Sequence, residues 1–143
     1  MKDVYGSLKS FKRKYFTTVS WRIKAHARVI EKHLNPDEEV LFAFPAQKEG
    51  MGAGFFSTVA VALTNKRILI GQKRLLFGYF YTAITPDMFN DLKVEMGLIW
   101  GRIYIDTVKE LITLSKLDGN ALDPIETAIT EYMMKEKKKY RSK

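Results

Sequence analysis

Two histidines carry the most versatile chemistry in this chain, because an imidazole can bind a metal ion or transfer a proton. His26 and His33 are seven residues apart. On a helix that spacing places both on one face but about 10 Å apart along the axis. One metal ion cannot bind two ligands at that separation. We therefore predict no metal site.

Other catalytic chemistry is also missing from the sequence. The 143 residues include no cysteine, which excludes disulfides, zinc–thiolate centres and a cysteine nucleophile. No G-x-S-x-G segment occurs, and the acidic residues are scattered over alternating positions of predicted strands. We predict no catalytic residue and no enzymatic activity.

A glycine-rich segment at residues 50–54 has the spacing G-x-G-x-G. A dinucleotide-binding loop needs a strand before it and a helix after it, whereas here a strand-like apolar run follows. The segment is therefore interpreted as a mobile hairpin loop. We predict no nucleotide and no other cofactor.

The charge distribution indicates binding rather than catalysis. The net charge is +8, and it divides into +7 over residues 1–34, −4 over residues 35–134 and +5 over residues 135–143. Basic segments attract phosphate groups of lipids or nucleic acids, and aromatic residues accompany the first basic segment and crowd a later strand. The candidate interaction surface comprises Lys9, Phe11, Lys12, Arg13, Lys14, Tyr15, Trp21, Arg22, Arg28, Tyr79 and Tyr81.

Helical periodicity marks both ends of the chain. Apolar residues recur at three- and four-residue steps over residues 8–34, with a β-branched and polar break at residues 17–20. Asn35-Pro36 ends this pattern. Near the other end, Asp123 is a predicted N-cap, Pro124 suits the first helical position and Glu126 completes a capping box. We predict a helix over residues 124–138 with a single apolar stripe.

Between these helices the period changes to that of strands. Leu92, Val94 and Met96 alternate with charged residues, and Ile103 and Ile105 alternate with polar ones. About seven strands at close spacing are typical of a barrel or sandwich. The predicted class is mainly β (α+β), with the C-terminal helix closing one end of the barrel.

Residues 62–70, A-L-T-N-K-R-I-L-I, resemble the hairpin between the second and third strands of bacterial pleckstrin-homology-like (PH-like) domains. The strand G-R-I-Y-I at residues 101–105 and the final helix also fit that family. The resemblance implies a barrel of seven antiparallel strands capped by a helix, and three regions: a basic helical arm at 1–35, a PH-like domain at 36–138 and a basic tail at 139–143. Residues 85–87, T-P-D, depart from the family pattern.

The resemblance implies a binding module. Eukaryotic relatives hold phosphoinositides with several basic residues in the loop between the first two strands. This chain offers only Lys48 beside Glu49 there, so that pocket does not carry over. Within the hairpin, Asn65 suits a tight turn, and Arg67 is interpreted as a surface cation with its stem along the sheet.

Three functions remain open. The first is binding of a protein or peptide partner, or self-association, through a sheet edge. The second is peripheral attachment to an anionic membrane through the basic arm, and the third is nucleic-acid binding. No signal peptide is evident, so a cytoplasmic location is expected, with membrane contact under the second function. The arm either packs on the barrel or projects from it, and we expect a barrel without residues 1–34 to remain folded.

Overall fold

The computed structural model describes residues 3–52 and 54–141. The described residues form three helices and seven strands, with short 3-10 turns at Gly54–Ser57, Pro86–Met88 and Gly119–Ala121. The helices are α1 (Val4–Lys14), α2 (Ile23–His33) and α3 (Leu122–Arg141). The strands are β1 (Val40–Lys48), β2 (Thr58–Thr64), β3 (Ile68–Lys73), β4 (Tyr79–Ile84), β5 (Phe89–Met96), β6 (Gly101–Thr107) and β7 (Leu111–Leu117).

The strands form one antiparallel sheet in the order β4-β3-β2-β1-β7-β6-β5. The two halves of the sheet join through a short pairing of β1 with β7, where Gln47 faces Ser115 and Lys48 faces Leu114. Strands β4 and β5 form the two edges, so the sheet is not a closed barrel. The predicted fold class, seven antiparallel strands with a C-terminal helix and added N-terminal helices, is confirmed.

The C-terminal helix has the predicted apolar stripe but not the predicted cap. Helix α3 begins at Leu122, directly after a 3-10 turn, so Asp123 lies in its first turn. Asp118 caps that preceding turn instead, because its side chain accepts a hydrogen bond from the backbone N–H of Asn120. The last two residues of the predicted basic tail, 142 and 143, lie outside the described residues.

The sheet has two apolar cores, one on each face. The inner core lies between the two halves of the sheet and α3, and includes Phe44, Phe89 and Ile125. The outer core joins the N-terminal arm to the first half of the sheet. Its members are Val4 and Leu8 of α1, Ala27 and Ile30 of α2, and Ala43, Ala60, Ala62 and Leu69 of the strands. The arm therefore packs on the sheet.

Small residues on the outer face allow α2 to approach the sheet closely. Ala60 and Ala62 of β2 are fully buried beneath the arm. A Cβ atom at Gly71 would lie 3.0 Å from Cγ1 of both Val29 and Ile30, closer than normal packing allows. Every residue of β2 is buried as a result, which is the pattern of a strand covered on both faces.

A buried ion pair fixes the end of the arm to the sheet. Glu38, which has no exposed surface, receives two hydrogen bonds of 3.0 Å from the guanidinium of Arg67. Arg67 also donates to the carbonyl of His33, the last residue of α2. Burial acts to raise the pKa of Glu38, but hydrogen bonds from Arg67, Thr64 and Asn35 outweigh it and hold that pKa below its usual value. The interpretation of Arg67 as a surface cation is wrong, because its charge is needed beside a buried carboxylate.

The rest of the hairpin motif is also structural. The Thr64 hydroxyl accepts hydrogen bonds from the N–H groups of Lys66 and Arg67 and donates to Glu38. The Asn65 side chain accepts from the N–H of Glu39. The motif thus joins the β2–β3 turn to the segment that follows the arm.

We expect Arg67→Met to lower the free energy of unfolding by about 3–5 kcal/mol, because it leaves the buried Glu38 carboxylate without its cation. Urea denaturation measures this change. Lys66→Met is the matched control: it removes a neighbouring cation whose 3.1 Å ion pair with Asp37 is exposed, and should cost less than about 1 kcal/mol. Equal effects of the two substitutions would contradict the role given to Arg67.

We also expect Ile30→Ala to destabilise the whole domain by about 2–5 kcal/mol, since it opens a cavity in the outer core. Unfolding followed by the near-ultraviolet signal of the sheet aromatics should remain a single transition at lower urea. An unchanged sheet transition would mean that the sheet does not depend on the arm, in line with the expectation that a barrel without residues 1–34 remains folded.

Candidate functional site

The hairpin between β3 and β4 has an exposed apolar tip. The turn is closed by a hydrogen bond from the N–H of Arg74 to the carbonyl of Gly78. Gly78 has φ +70°, a conformation that favours glycine. Within this turn Leu76 and Phe77 are 80% and 85% exposed, and Leu75 is also exposed. Three consecutive large apolar residues at a loop tip mark a contact surface.

A cationic groove runs beside this tip, between α2 and the start of β4. It encloses about 370 Å³. Ala25, Val29 and His33 of α2 and Tyr79 of β4 form its apolar and aromatic walls. Its basic residues are Arg22, Arg28, Lys32 and Lys73.

The charges of the groove are poorly neutralised. Arg28 forms an ion pair of 2.7 Å with Glu31. Among the described residues, no carboxylate lies within ion-pair distance of Arg22, Lys32 or Lys73. A surface of this kind attracts anions.

Strand pairing and ring stacking shape the groove. Tyr79 is opposite Lys73 in the β3–β4 register. The imidazole of His33 stacks on Tyr81 with 3.8 Å between ring centroids, and its Nδ1 lies 2.7 Å from the carbonyl of Val29. Burial raises the pKa of the Tyr81 hydroxyl. Tyr81 therefore supports the wall, whereas Tyr79 faces the solvent.

A second cleft, of about 420 Å³, lies on the other side of Lys73. The ring of Trp21 meets that of Phe56 edge to face, with centroids 5.0 Å apart. Arg22 lies over the Trp21 ring at 5.3 Å. The cleft is also lined by His26, Met51, Gln72, Lys73, Arg74 and Leu75. The β3–β4 hairpin thus has a cleft on each side.

His26 is a buried histidine at the back of this cleft. It is 2% exposed, and its Nδ1 accepts a 2.9 Å hydrogen bond from the backbone N–H of Lys73. Burial, and then the charge of Arg22, lower the pKa of His26 to about 4. The ring is neutral at neutral pH, and because Nδ1 is an acceptor the proton resides on Nε2. A hydrogen bond between the ring and the backbone of Trp21 acts in the opposite direction and offsets part of this lowering of the pKa.

The β5–β6 hairpin forms another exposed apolar tip. Leu98 is 99% exposed and Ile99 is also exposed. The indole N–H of Trp100 donates to the carbonyl of Thr17 at 2.9 Å, and the Lys116 ammonium lies 4.8 Å above the Trp100 ring. The segment between α1 and α2 therefore contacts the β5–β6 tip through Thr17 and lines the second cleft through Trp21.

The structure brings together only some residues of the predicted interaction surface. Arg22, Arg28 and Tyr79 line the groove, and Trp21 lines the adjoining cleft. Tyr81 lies behind the groove wall. Sequence reasoning missed Lys32, Lys73 and the apolar tip. The sequence K-R-L-L-F at residues 73–77, between two predicted strands, could have indicated the tip and the cation beside it.

The residues predicted from α1 do not join this site. Phe11 and Tyr15 are 5% and 8% exposed and belong to the inner core, so their inclusion in a surface was wrong. Phe11 on α1 and Tyr15 directly after it therefore pack into the protein and are not available to a partner. Lys9 and Lys14 lie over the rings of Tyr5 and Tyr15, and Arg13 is exposed.

Lys12, also predicted for the surface, is partly buried, and burial lowers its pKa. Its ammonium donates hydrogen bonds to the carbonyls of Phe16 and Thr18. This side chain therefore stabilises the turn after α1 instead of presenting a free charge.

The profile of the bacterial PH domain family matches residues 34–131, which is more than half of the 143-residue chain. The chain therefore belongs to this family, as the resemblance predicted. Residues 3–33, with Trp21, Arg22 and α2, precede the matched part.

The solved structures similar to this chain include two from Shewanella species. One is the pleckstrin homology domain from Shewanella amazonensis SB2B, with 17% identity, a TM-score of 0.49, and coverage of 75% of this chain and 84% of that one. The other is a DUF1696 family protein with a pleckstrin-homology domain from Shewanella loihica PV-4, with 13% identity, a TM-score of 0.48, and coverage of 78% and 89%. No curated protein matches the sequence significantly. None of the described helices has the length and apolar character needed to cross a bilayer.

We expect His26 to make stability depend on pH. Because its folded pKa of about 4 lies below the ordinary 6.5, the unfolded chain binds a proton between these values that the folded chain does not. The contribution of His26 to the free energy of unfolding is complete above pH 6.5. It is lost as the pH falls toward 4, which lowers the free energy of unfolding by about 2–3 kcal/mol.

Urea denaturation at pH 7.5 and pH 4.5 measures this loss. His26→Asn keeps a side-chain acceptor for the Lys73 N–H but does not titrate, and it should lose less stability over the same interval. Equal losses in the two proteins would show that His26 is not the group responsible.

Proposed function

We propose that this chain is a non-catalytic binding module that attaches peripherally to anionic membrane surfaces. The observation that carries the proposal is the pairing of the exposed apolar tip, residues 75–77, with the cationic groove beside it. An amphipathic element of this kind binds at the membrane interface, where apolar residues enter the acyl boundary and cations meet the headgroups.

The energetics favour this arrangement. Burial of a Leu or Phe side chain contributes about 1.5–3 kcal/mol, and Leu76 and Phe77 are largely exposed in the free protein. A basic residue near an anionic leaflet contributes about 1 kcal/mol. Two apolar anchors and three or four cations together suffice for reversible attachment without a spanning helix.

The anchor proposed here differs from that of the sequence analysis. The sequence analysis expected attachment through the whole basic arm, including Phe11, Tyr15 and Trp21, but Phe11 and Tyr15 lie in the inner core. The arm instead contributes cations of α2 to a surface whose apolar part is the β3–β4 tip. A nucleic acid would use the same cations but leaves Leu76 and Phe77 without a role.

The unpaired edge of β4 supports a second candidate function. Strand β4 ends the sheet, so the backbone groups on its outer side are available to an added strand. An extended peptide or the same edge of a second copy is the partner that such an edge accepts. This function retains the first hypothesis of the sequence analysis and does not require the apolar tip.

Vesicle co-sedimentation tests the membrane proposal. We expect binding to vesicles of phosphatidylcholine with phosphatidylglycerol, weak binding to phosphatidylcholine alone, and weakening with salt. The double substitution Leu76→Asp and Phe77→Asp should weaken binding more than about tenfold, because it removes two apolar anchors.

Val108→Asp is the matched control, since Val108 is an exposed apolar residue of the β6–β7 turn at 62% exposure and lies outside the proposed site. It should bind as the parent protein does. Undiminished binding of the double variant would refute the role of the tip, and equal binding to neutral and anionic vesicles would refute the role of the groove.

A further inference from the structure

We propose that the β5–β6 tip, residues 96–100, is a second membrane anchor, separate from the β3–β4 tip and the cationic groove. Its partner is the interface of an anionic bilayer, so the inference rests on the membrane function proposed above. The observations that carry it are the exposed apolar side chains of the tip, the cations beside its tryptophan, and the position of the tip relative to the first anchor.

The β5–β6 tip presents apolar side chains without any charge among them. Leu98 is 99% exposed and Ile99 is 64% exposed, and Met96 at the end of β5 is exposed as well. The five residues of the tip, M-G-L-I-W, include no charged side chain. A hairpin tip of this composition marks a contact surface.

The end of α1 adds a further apolar side chain and two cations beside the tip. Phe16 is 74% exposed and directly precedes Thr17, whose carbonyl accepts the hydrogen bond of the Trp100 indole. Arg13 and Lys14 lie in the last turn of α1 and are exposed. Among the described residues, no carboxylate lies within ion-pair distance of either cation.

A bulge in β7 places another cation at the tryptophan. The pairing of β6 with β7 shifts by one residue between Gly101 and Ile103, so that β7 has an extra residue there. Lys116 lies in this bulge with φ +57°, a conformation that residues other than glycine rarely adopt. Its ammonium lies 4.8 Å from the centre of the Trp100 ring. Strained backbone of this kind clusters at functional sites.

Tryptophan with lysine beside an apolar tip is typical of a membrane interface. The indole lies at the level of the headgroups, and a lysine stem follows apolar surface while its ammonium reaches the headgroups. Arg102 beside the tip is 3.8 Å from Glu95 and 3.9 Å from Glu49. No described carboxylate lies within ion-pair distance of Lys116. Its charge is therefore available to an anionic lipid.

Both apolar tips border the segment between α1 and α2. Thr17 at its start contacts Trp100, and Trp21 at its end lines the second cleft together with Leu75 of the β3–β4 tip. Only four residue steps separate Thr17 from Trp21, so their Cα atoms are at most about 14 Å apart. Two anchors beside one short segment can enter the same bilayer surface, and joined contacts of this kind bind more tightly than either alone.

The first test is co-sedimentation of the full chain with vesicles of phosphatidylcholine and phosphatidylglycerol. The double substitution Leu98→Ser and Ile99→Ser should weaken binding about tenfold, because it removes apolar contact without adding charge. Val108→Ser with Leu111→Ser is the matched control: these residues are 62% and 59% exposed at the other end of β6, and binding should not change. Urea denaturation checks that each variant is folded.

A second pair of variants tests the lysine. Lys116→Asn removes the cation but keeps a residue that tolerates the left-handed backbone. It should weaken binding to the anionic vesicles about fivefold, the effect of one basic residue near an anionic surface. Lys109→Asn removes an exposed cation of the β6–β7 turn and should have a smaller effect. Equal effects of the two substitutions would overturn the role given to Lys116.

Tryptophan fluorescence tests the contact itself. The chain has two tryptophans, so Trp21→Phe leaves Trp100 as the reporter. Vesicles of the same charge whose lipids carry bromine on the acyl chains should quench Trp100 when the protein binds. The substitutions Leu98→Ser and Ile99→Ser should abolish the quenching at an equal bound fraction.

The outcomes separate this inference from the proposed function. Vesicle binding that leaves Trp100 unquenched, with undiminished binding of the serine double variant, would overturn the second anchor and leave the membrane function standing. Self-association that the double variant abolishes while vesicle binding persists would assign the tip to a protein contact and likewise overturn it. Absence of binding to every vesicle would refute both proposals.

Discussion

Burial of strands β2 and β3 on both faces is the constraint on which the rest of the structure depends. A sheet with apolar side chains on each side needs two covers, and here the second half of the sheet with α3 covers one face while α1 and α2 cover the other. The small residues Ala60, Ala62 and Gly71 let α2 lie close to the strands. The ion pair of Glu38 with Arg67 then fixes the end of α2. The cationic groove exists only because α2 is held in this place.

Short-range sequence patterns were sufficient to predict most of the helices and strands. The alternation in β5 and β6, the break after α1 and the stripe of α3 are short-range signals, and each predicted its element correctly. The sequence analysis left the packing of the arm open, although β2, T-V-A-V-A-L-T, lacks any polar face, which is typical of a strand buried on both sides. The pairing of Glu38 with Arg67 joins residues 29 apart and leaves no local pattern. The groove also depends on contacts between distant parts of the chain. Lys73 and Tyr79 lie near Arg22 only because the outer core packs α2 against the sheet.

The family and the arm contribute different parts of the candidate site. The part of the chain that matches the bacterial PH domain family supplies the β3–β4 hairpin with its apolar tip. Helix α2, which precedes that part, supplies Arg22, Arg28 and Lys32. Its buried His26 bonds directly to the backbone of β3. Helices α1 and α2 thus cover the outer face of the sheet, and α2 adds cations to it, so that stability and the proposed binding rest on the same contacts.

Native-state hydrogen exchange tests the central claim, that the arm and the sheet form one cooperative unit, most directly. The amides of Ala27 and Ile30 in α2 and of Val61 and Leu69 in the strands are all in buried elements. If the arm is part of the fold, the α2 amides should exchange with the same free energy of opening as those of β2 and β3, and that energy should approach the global free energy of unfolding. Exchange of the α2 amides at a much lower free energy, with the strand amides still protected, would contradict the account.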